Sequence, residues 1–254
     1  MNNKNAIAFL RELKIIKVLT IRPFSFLLLT ESFSQLAVNM MNFILVIVVY
    51  SLTSSSAAVA GIILSFTIPQ LFLGLLAGVY VDKWDKKKVL ILTNILRAIL
   101  VFLLVVGHTN LFLIYILSFA ISVISQFFIP AETPMIPLLV KKDLLLSANA
   151  LFGMIIFASI FLAYALSGPI LLILGKQAAI VVLGASFLLA SLFASLIDMK
   201  HILKKEVDLV ELSMNIFGEV KKALQVVEKA RILINALLLL TLSKVLVMVL
   251  AVIG

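Results

Sequence analysis

Seven apolar runs, each long enough to cross a hydrocarbon layer, recur along this sequence of 254 residues and leave few folds open to it. They are Phe24 to Tyr50, Ala57 to Val81, Val89 to Gly107, Leu111 to about Ile129, Leu144 to Leu174, Ala178 to Ile197, and Ile232 to Gly254. At about 1.5 Å of helical rise per residue, roughly 20 residues cover the ~30 Å core of a bilayer. A helix pairs every backbone N–H and C=O within its own segment, which is why spanning runs of this kind are helical. The residues are 63% hydrophobic and only 13% charged, too few polar groups to clothe a soluble fold. The expectation is an all-α, multi-pass membrane protein.

The basic residues orient it. Five lie before the first run (Lys4, Arg11, Lys14, Lys17, Arg22), four follow the second, two follow the fourth, and seven fall between Lys200 and Arg231. The other side holds Lys176, while Arg97 and Lys244 lie within runs. That asymmetry predicts a cytoplasmic N-terminus, and the +9 net charge records topology and headgroup attraction rather than nucleic-acid binding. The plan is a basic N-terminal segment over residues 1–23 and a six-helix bundle over 24–197. A cytoplasmic linker over 198–231 follows, then a seventh helix over 232–254. In the linker Leu212, Ile216, Val220, Leu224 and Val227 recur every three or four residues, an amphipathic helix. No short apolar core with a cleavage site follows the basic start, so no signal peptide is expected.

Several chemistries are disfavoured. There is no cysteine, no phosphate-binding glycine loop, and no grouping of nucleophile, base and metal ligands; His108 and His201 lie in connections on opposite sides. The expectation is a non-enzyme without metal or cofactor.

Polar residues inside the runs are costly and therefore informative. In the first run Glu31, Ser34, Gln35, Asn39 and Asn42 share a helical face, and in the fourth Ser118, Ser122, Ser125, Gln126 and Thr133 do the same. Ser65, Thr67 and Gln70 of the second run scatter. Two readings of the stripes stay open: a hydrated cavity lined by Glu31, Gln35, Asn39, Asn42, Ser122 and Gln126, or hydrogen bonds between helices. Glu31 sits ~10 Å inside the first run, a depth at which a carboxyl suits proton carriage. Arg97 enters the third run to a comparable depth and is a second proton-coupling candidate; the alternatives are that it pairs statically with Glu31 or snorkels toward headgroups. Gly74 and Gly78 form a small-xxx-small pair that admits a close neighbour.

Between the second and third runs, GVYVDKWDKKKVL carries charge at six of the seven positions from Asp82 to Lys88. This loop resembles the signature of the major facilitator superfamily: a glycine, three residues, an aspartate, a basic residue, and a basic pair further on. VVYSLTSSSAAVAG, RAIL at Arg97 to Leu100, and PAETPMIPLLVKKDLLLSANAL from Pro130 resemble its macrolide-efflux and enterobactin-exporter-like branch. The resemblance implies a gating loop of Gly78, Asp82, Lys83, Asp85, Lys86 and Lys87, and identifies Gly168-Pro169 with the core of an antiporter motif in helix five. Asp85 departs from the general pattern, which has glycine there. Helix four lacks the arginine many drug–proton antiporters carry, and Glu31 replaces a residue that is often neutral.

What the resemblance implies is alternating-access, proton-driven efflux of a small amphipathic drug-like or siderophore-like compound across a bacterial plasma membrane. Its partners would be that substrate, protons and membrane lipids, with the proton gradient in place of a cofactor. Two alternatives remain, a facilitator or symporter of small metabolites and a non-transporting truncated membrane protein. Family members have twelve helices in two halves, so the expectation is a truncated piece whose C-terminal half is missing.

Overall fold

Short polar side chains open three of the long helices. In the computed structural model, Ser55 Oγ accepts the Ala58 N–H at 3.4 Å, Asp85 Oδ1 that of Lys88 at 3.1 Å, and Asn110 Oδ1 that of Leu113 at 3.2 Å. Each occupies a helix terminus whose first N–H groups lack intrahelical partners. The structure describes residues 14–199 and Leu239. Most of the expected linker and seventh helix, Lys244, His201 and much of the basic N-terminal segment lie outside the described residues.

A short helix α1 (Lys14–Leu19) precedes α2 (Arg22–Thr53), which carries Pro23 in its first turn, where a missing N–H costs nothing. Ser54 ends α2 in the left-handed conformation (φ 49°), its N–H bonding to Tyr50 O at 2.8 Å. Next come α3 (Ser56–Val81), α4 (Lys86–Gly107) and α5 (Leu111–Glu132). A short α6 (Met135–Leu139) and a 3₁₀ turn (Lys142–Leu144) lead into α7 (Leu145–Ser195). At Gly175 the backbone of α7 leaves the helical region (φ 76°, ψ 174°), a conformation glycine adopts without a Cβ penalty. It divides α7 into two arms at the position where sequence reading places an outer connection. Among the described residues, five helices are long and apolar enough to cross a membrane, counting α7 as one. The fold is all-α.

Packing follows the apolar stripes. α2 lies along α7, α4 against α7 and α5, and α3 against α5. One apolar core, near the Ser54 end, draws Val48 from α2, Val101 and Leu104 from α4, and Leu183 and Phe187 from the second arm of α7. A second core, near the lysine-rich loop, joins Phe24, Leu27, Leu90, Phe128 and Met135. Outward-facing side chains are apolar too: Val106 is 85% exposed and Leu172 88%. A surface so apolar is covered by lipid chains rather than water. The chain groups into two units, Met1–Leu209 and Val210–Gly254, and α1 to α7 belong to the first.

Candidate functional site

Three ionisable side chains meet where the two cores join. On α2, Glu31 follows Leu27 by one turn on the buried stripe; on α4, Arg97 follows Leu90 and Asn94; on α5, Glu132 follows Phe128 by one turn. Helical spacing thus delivers all three to the interior, where Glu31 and Arg97 are each 1% exposed and Glu132 is 2% exposed. The carboxyl groups of Glu31 and Glu132 lie within hydrogen-bonding reach of each other, and the Gln35 side chain within reach of Glu31. Arg97 is close enough to both acids to interact with their charges.

The guanidinium is held from several directions. Its Nη2 donates to Asn94 Oδ1 at 2.8 Å and its Nε to Thr93 O at 3.3 Å. Its central carbon stands 4.6 Å from the centre of the Phe128 ring and 4.8 Å from that of Phe187, a cation–π contact with each core. Arg97 therefore does not snorkel. Glu31 Oε2 and Glu132 Oε1 have no hydrogen-bond partner among the described residues. Two acids against one base leave the cluster one positive charge short, and buried charge is costly unless compensated.

Glu132 is the residue that sequence reading missed. The fourth apolar run is expected to stop near Ile129 because Pro130 follows, yet α5 continues through Pro130 to Glu132. A proline in the last turn removes one hydrogen bond without ending the helix there. The signal available was the i, i+4 pair Phe128 and Glu132, which extends the buried face past the proline.

The remaining site candidates are distributed differently. On α2, Gln35, Asn39 and Asn42 are half-buried, and Asn39 Nδ2 donates to Gln35 O at 2.8 Å. Asn42 lines a cavity of about 370 Å³ with Thr67 and Gln70 of α3 and Tyr164 of α7. Two of the scattered polar residues of α3, Thr67 and Gln70, thus converge with α2, while Ser65 donates to Gly61 O of its own helix at 3.0 Å. Ser122 is buried and donates to Phe66 O across the α3–α5 contact at 2.6 Å, an interhelical bond rather than a wetted surface. Gln126 Nε2 donates to Ser122 O at 3.0 Å, and its Oε1 lies 3.7 Å from where a Cβ on Gly74 would stand.

In the charged loop, Asp82 closes α3 through its N–H to Gly78 O at 3.0 Å, and Asp85 caps α4. Lys87 Nζ donates to Ile197 O at 2.6 Å, tying the loop to the end of α7. Lys86 is half-buried, whereas Asp82 and Lys83 are exposed. A Cβ on Gly78 would meet nothing within 4 Å, so the close approach expected at that glycine is not made among the described residues. Tight contact occurs instead at Gly184, where a Cβ would stand 2.6 Å from Phe102. Gly168 likewise faces open space, and α7 runs through Pro169 without a break.

The family model of the Major Facilitator Superfamily matches residues 27–253. Part of the chain is similar to the "Uncharacterized MFS-type transporter YkuC" of Bacillus subtilis (strain 168), at 29% identity over 123 residues. That match covers 43% of this chain and only 28% of the relative's length. No solved structure matches the chain.

Proposed function

The chain belongs to the major facilitator superfamily, and on that footing we propose that it serves a proton-coupled efflux transporter of amphipathic drug-like or siderophore-like compounds. The observation that carries the proposal is the buried Glu31–Glu132–Arg97 cluster. A hydrogen bond between two carboxyl groups needs a proton on one of them, since a carboxylate only accepts. One proton on the pair also balances the cluster's charge against Arg97. Loss and gain of that proton is a local change able to bias two arrangements of the bundle, as alternating access requires. The family favours a transporter over an enzyme, and a proton gradient is the driving force in this reading.

Substrate would enter beside Asn42, Thr67 and Gln70, with Gln35 and Asn39 further along α2 toward the charge cluster. Gly78, Asp82, Lys83, Asp85, Lys86 and Lys87 form the gate at the lysine-rich end, taken as cytoplasmic, and Gly168-Pro169 supports the direction of export. The exporter-like branch rests on the text from Pro130 to Leu151, and a metabolite facilitator or symporter on the same fold is the rival.

Everted vesicles carrying the protein test this reading with a fluorescent amphipathic cation. Imposing a proton gradient should drive uptake into them, and collapsing it should stop uptake. Glu31→Gln should abolish the response to the gradient while membrane insertion is unchanged. Gradient-driven transport at wild-type level in that variant overturns the proton assignment, and transport indifferent to the gradient favours the facilitator.

A further inference from the structure

The outer surface of α4 and α5 carries a second feature, independent of the transport reading. A groove of about 460 Å³ runs between these helices beneath Trp84. Lys88, Leu92 and Leu96 form one row along α4 at intervals of four residues, so the groove extends ~12 Å from the charged loop into the hydrocarbon. Ile124 and Phe127 of α5 form its other wall, and Trp84 stacks on Phe127 with ring centres 6.0 Å apart. Thr93 also lines it, but its hydroxyl donates to the backbone of its own helix, to Val89 O at 2.8 Å. The interior therefore offers apolar contact along its length, with Lys88 and Asp85 at its mouth.

That order of chemistries matches a phospholipid. The Lys88 side chain is 84% exposed, and the exposed Asp85, which also lines the groove, stands 4.0 Å away, a surface pairing that is worth little and does not tie the ammonium down. Four lysines against two aspartates make the loop from Asp82 to Lys88 positive at the depth where headgroups lie. The Trp84 ring suits the same interfacial layer. We propose that this groove is a specific site for one anionic phospholipid, its acyl chain lying along Leu92 and Leu96 and its phosphate paired with Lys88.

The test uses the full chain in mixed micelles holding equal amounts of phosphatidylglycerol and phosphatidylcholine, with retained lipids counted by native mass spectrometry. One phosphatidylglycerol should be retained about fivefold over phosphatidylcholine, the preference that one lysine near a headgroup confers. Lys88→Glu, a change at an exposed position, should erase the preference. Leu92→Trp, which fills the groove, should lower retention of both lipids. Lys141→Glu, another exposed lysine away from the groove, should leave the preference intact. Equal retention of the two lipids by the wild type overturns the site. So does a preference that survives Lys88→Glu, or one that Lys141→Glu removes as fully. Cross-linked dimers formed through Leu92→Cys in lipid-free detergent would assign the groove to a second copy and overturn the lipid.

Discussion

Near Ser54, the core between α2, α4 and the second arm of α7 is built from aliphatic and aromatic side chains, and its limit is steric. Past Phe187 the same three helices, joined by α5, enclose Glu31, Arg97 and Glu132, and the limit becomes electrostatic. In the first region a misplaced methyl is the threat, because close-packed interiors do not yield. In the second it is an uncompensated charge, because low-dielectric surroundings penalise a buried charge left without its partner. One bundle thus combines a region suited to holding a single packing with a region whose charge state can change.

The sharpest way to break that contrast is Arg97→Met. It leaves two buried carboxyl groups without their cation and should lower stability by about 3–5 kcal/mol, read as thermal unfolding in detergent. Adding Glu31→Gln and Glu132→Gln should recover most of the loss; no recovery would mean that packing around Phe128 and Phe187 matters more than charge. In the apolar region, Gly184→Ala should cost about 1–3 kcal/mol by pressing on the Phe102 ring, and Phe102→Ala should relieve it. A tolerated Gly184→Ala would show that the apolar region is looser than its packing implies.

Smaller effects probe the helix contacts that join the regions. Ser122→Ala removes the donor to Phe66 O and should cost about 1 kcal/mol by the same unfolding assay. The chain has no native cysteine, so single cysteines report accessibility cleanly. Asn42→Cys and Gln70→Cys should react with a water-soluble maleimide, and Ser122→Cys should not. Equal labelling of all three would erase the distinction between cavity wall and helix contact. Smallest is Ser55→Ala, whose long 3.4 Å cap should be worth about 0.5 kcal/mol.

The all-α fold was legible because spanning runs announce themselves by length and composition. The starts of α3, α4 and α5 at Ser56, Lys86 and Leu111 fall within three residues of the apolar runs that begin at Ala57, Val89 and Leu111, while the caps Ser55, Asp85 and Asn110 emerged only from the structure. Glu31 and Arg97 stood out as charges deep in apolar text. Which of these polar residues would meet was not legible. Residues on one helix share a face by arithmetic, but the rotation of each helix against its neighbours depends on side-chain packing across the whole bundle. That rotation turns Ser122 onto Phe66 O instead of a cavity, and brings Thr67 and Gln70 to Asn42.

Glu132 marks the boundary between the two kinds of knowledge. Hydropathy and spacing place an acid just past a proline at the end of an apolar run, where a wet loop is the ordinary expectation. The helix continues because its neighbours bury that last turn, and burial puts the carboxyl beside Glu31 and Arg97. Local sequence sets the helices and their apolar faces, since backbone hydrogen bonding in lipid leaves no other choice. The meeting of charges from α2, α4 and α5 depends on contacts among residues up to 101 positions apart, and these exist only once the bundle has packed.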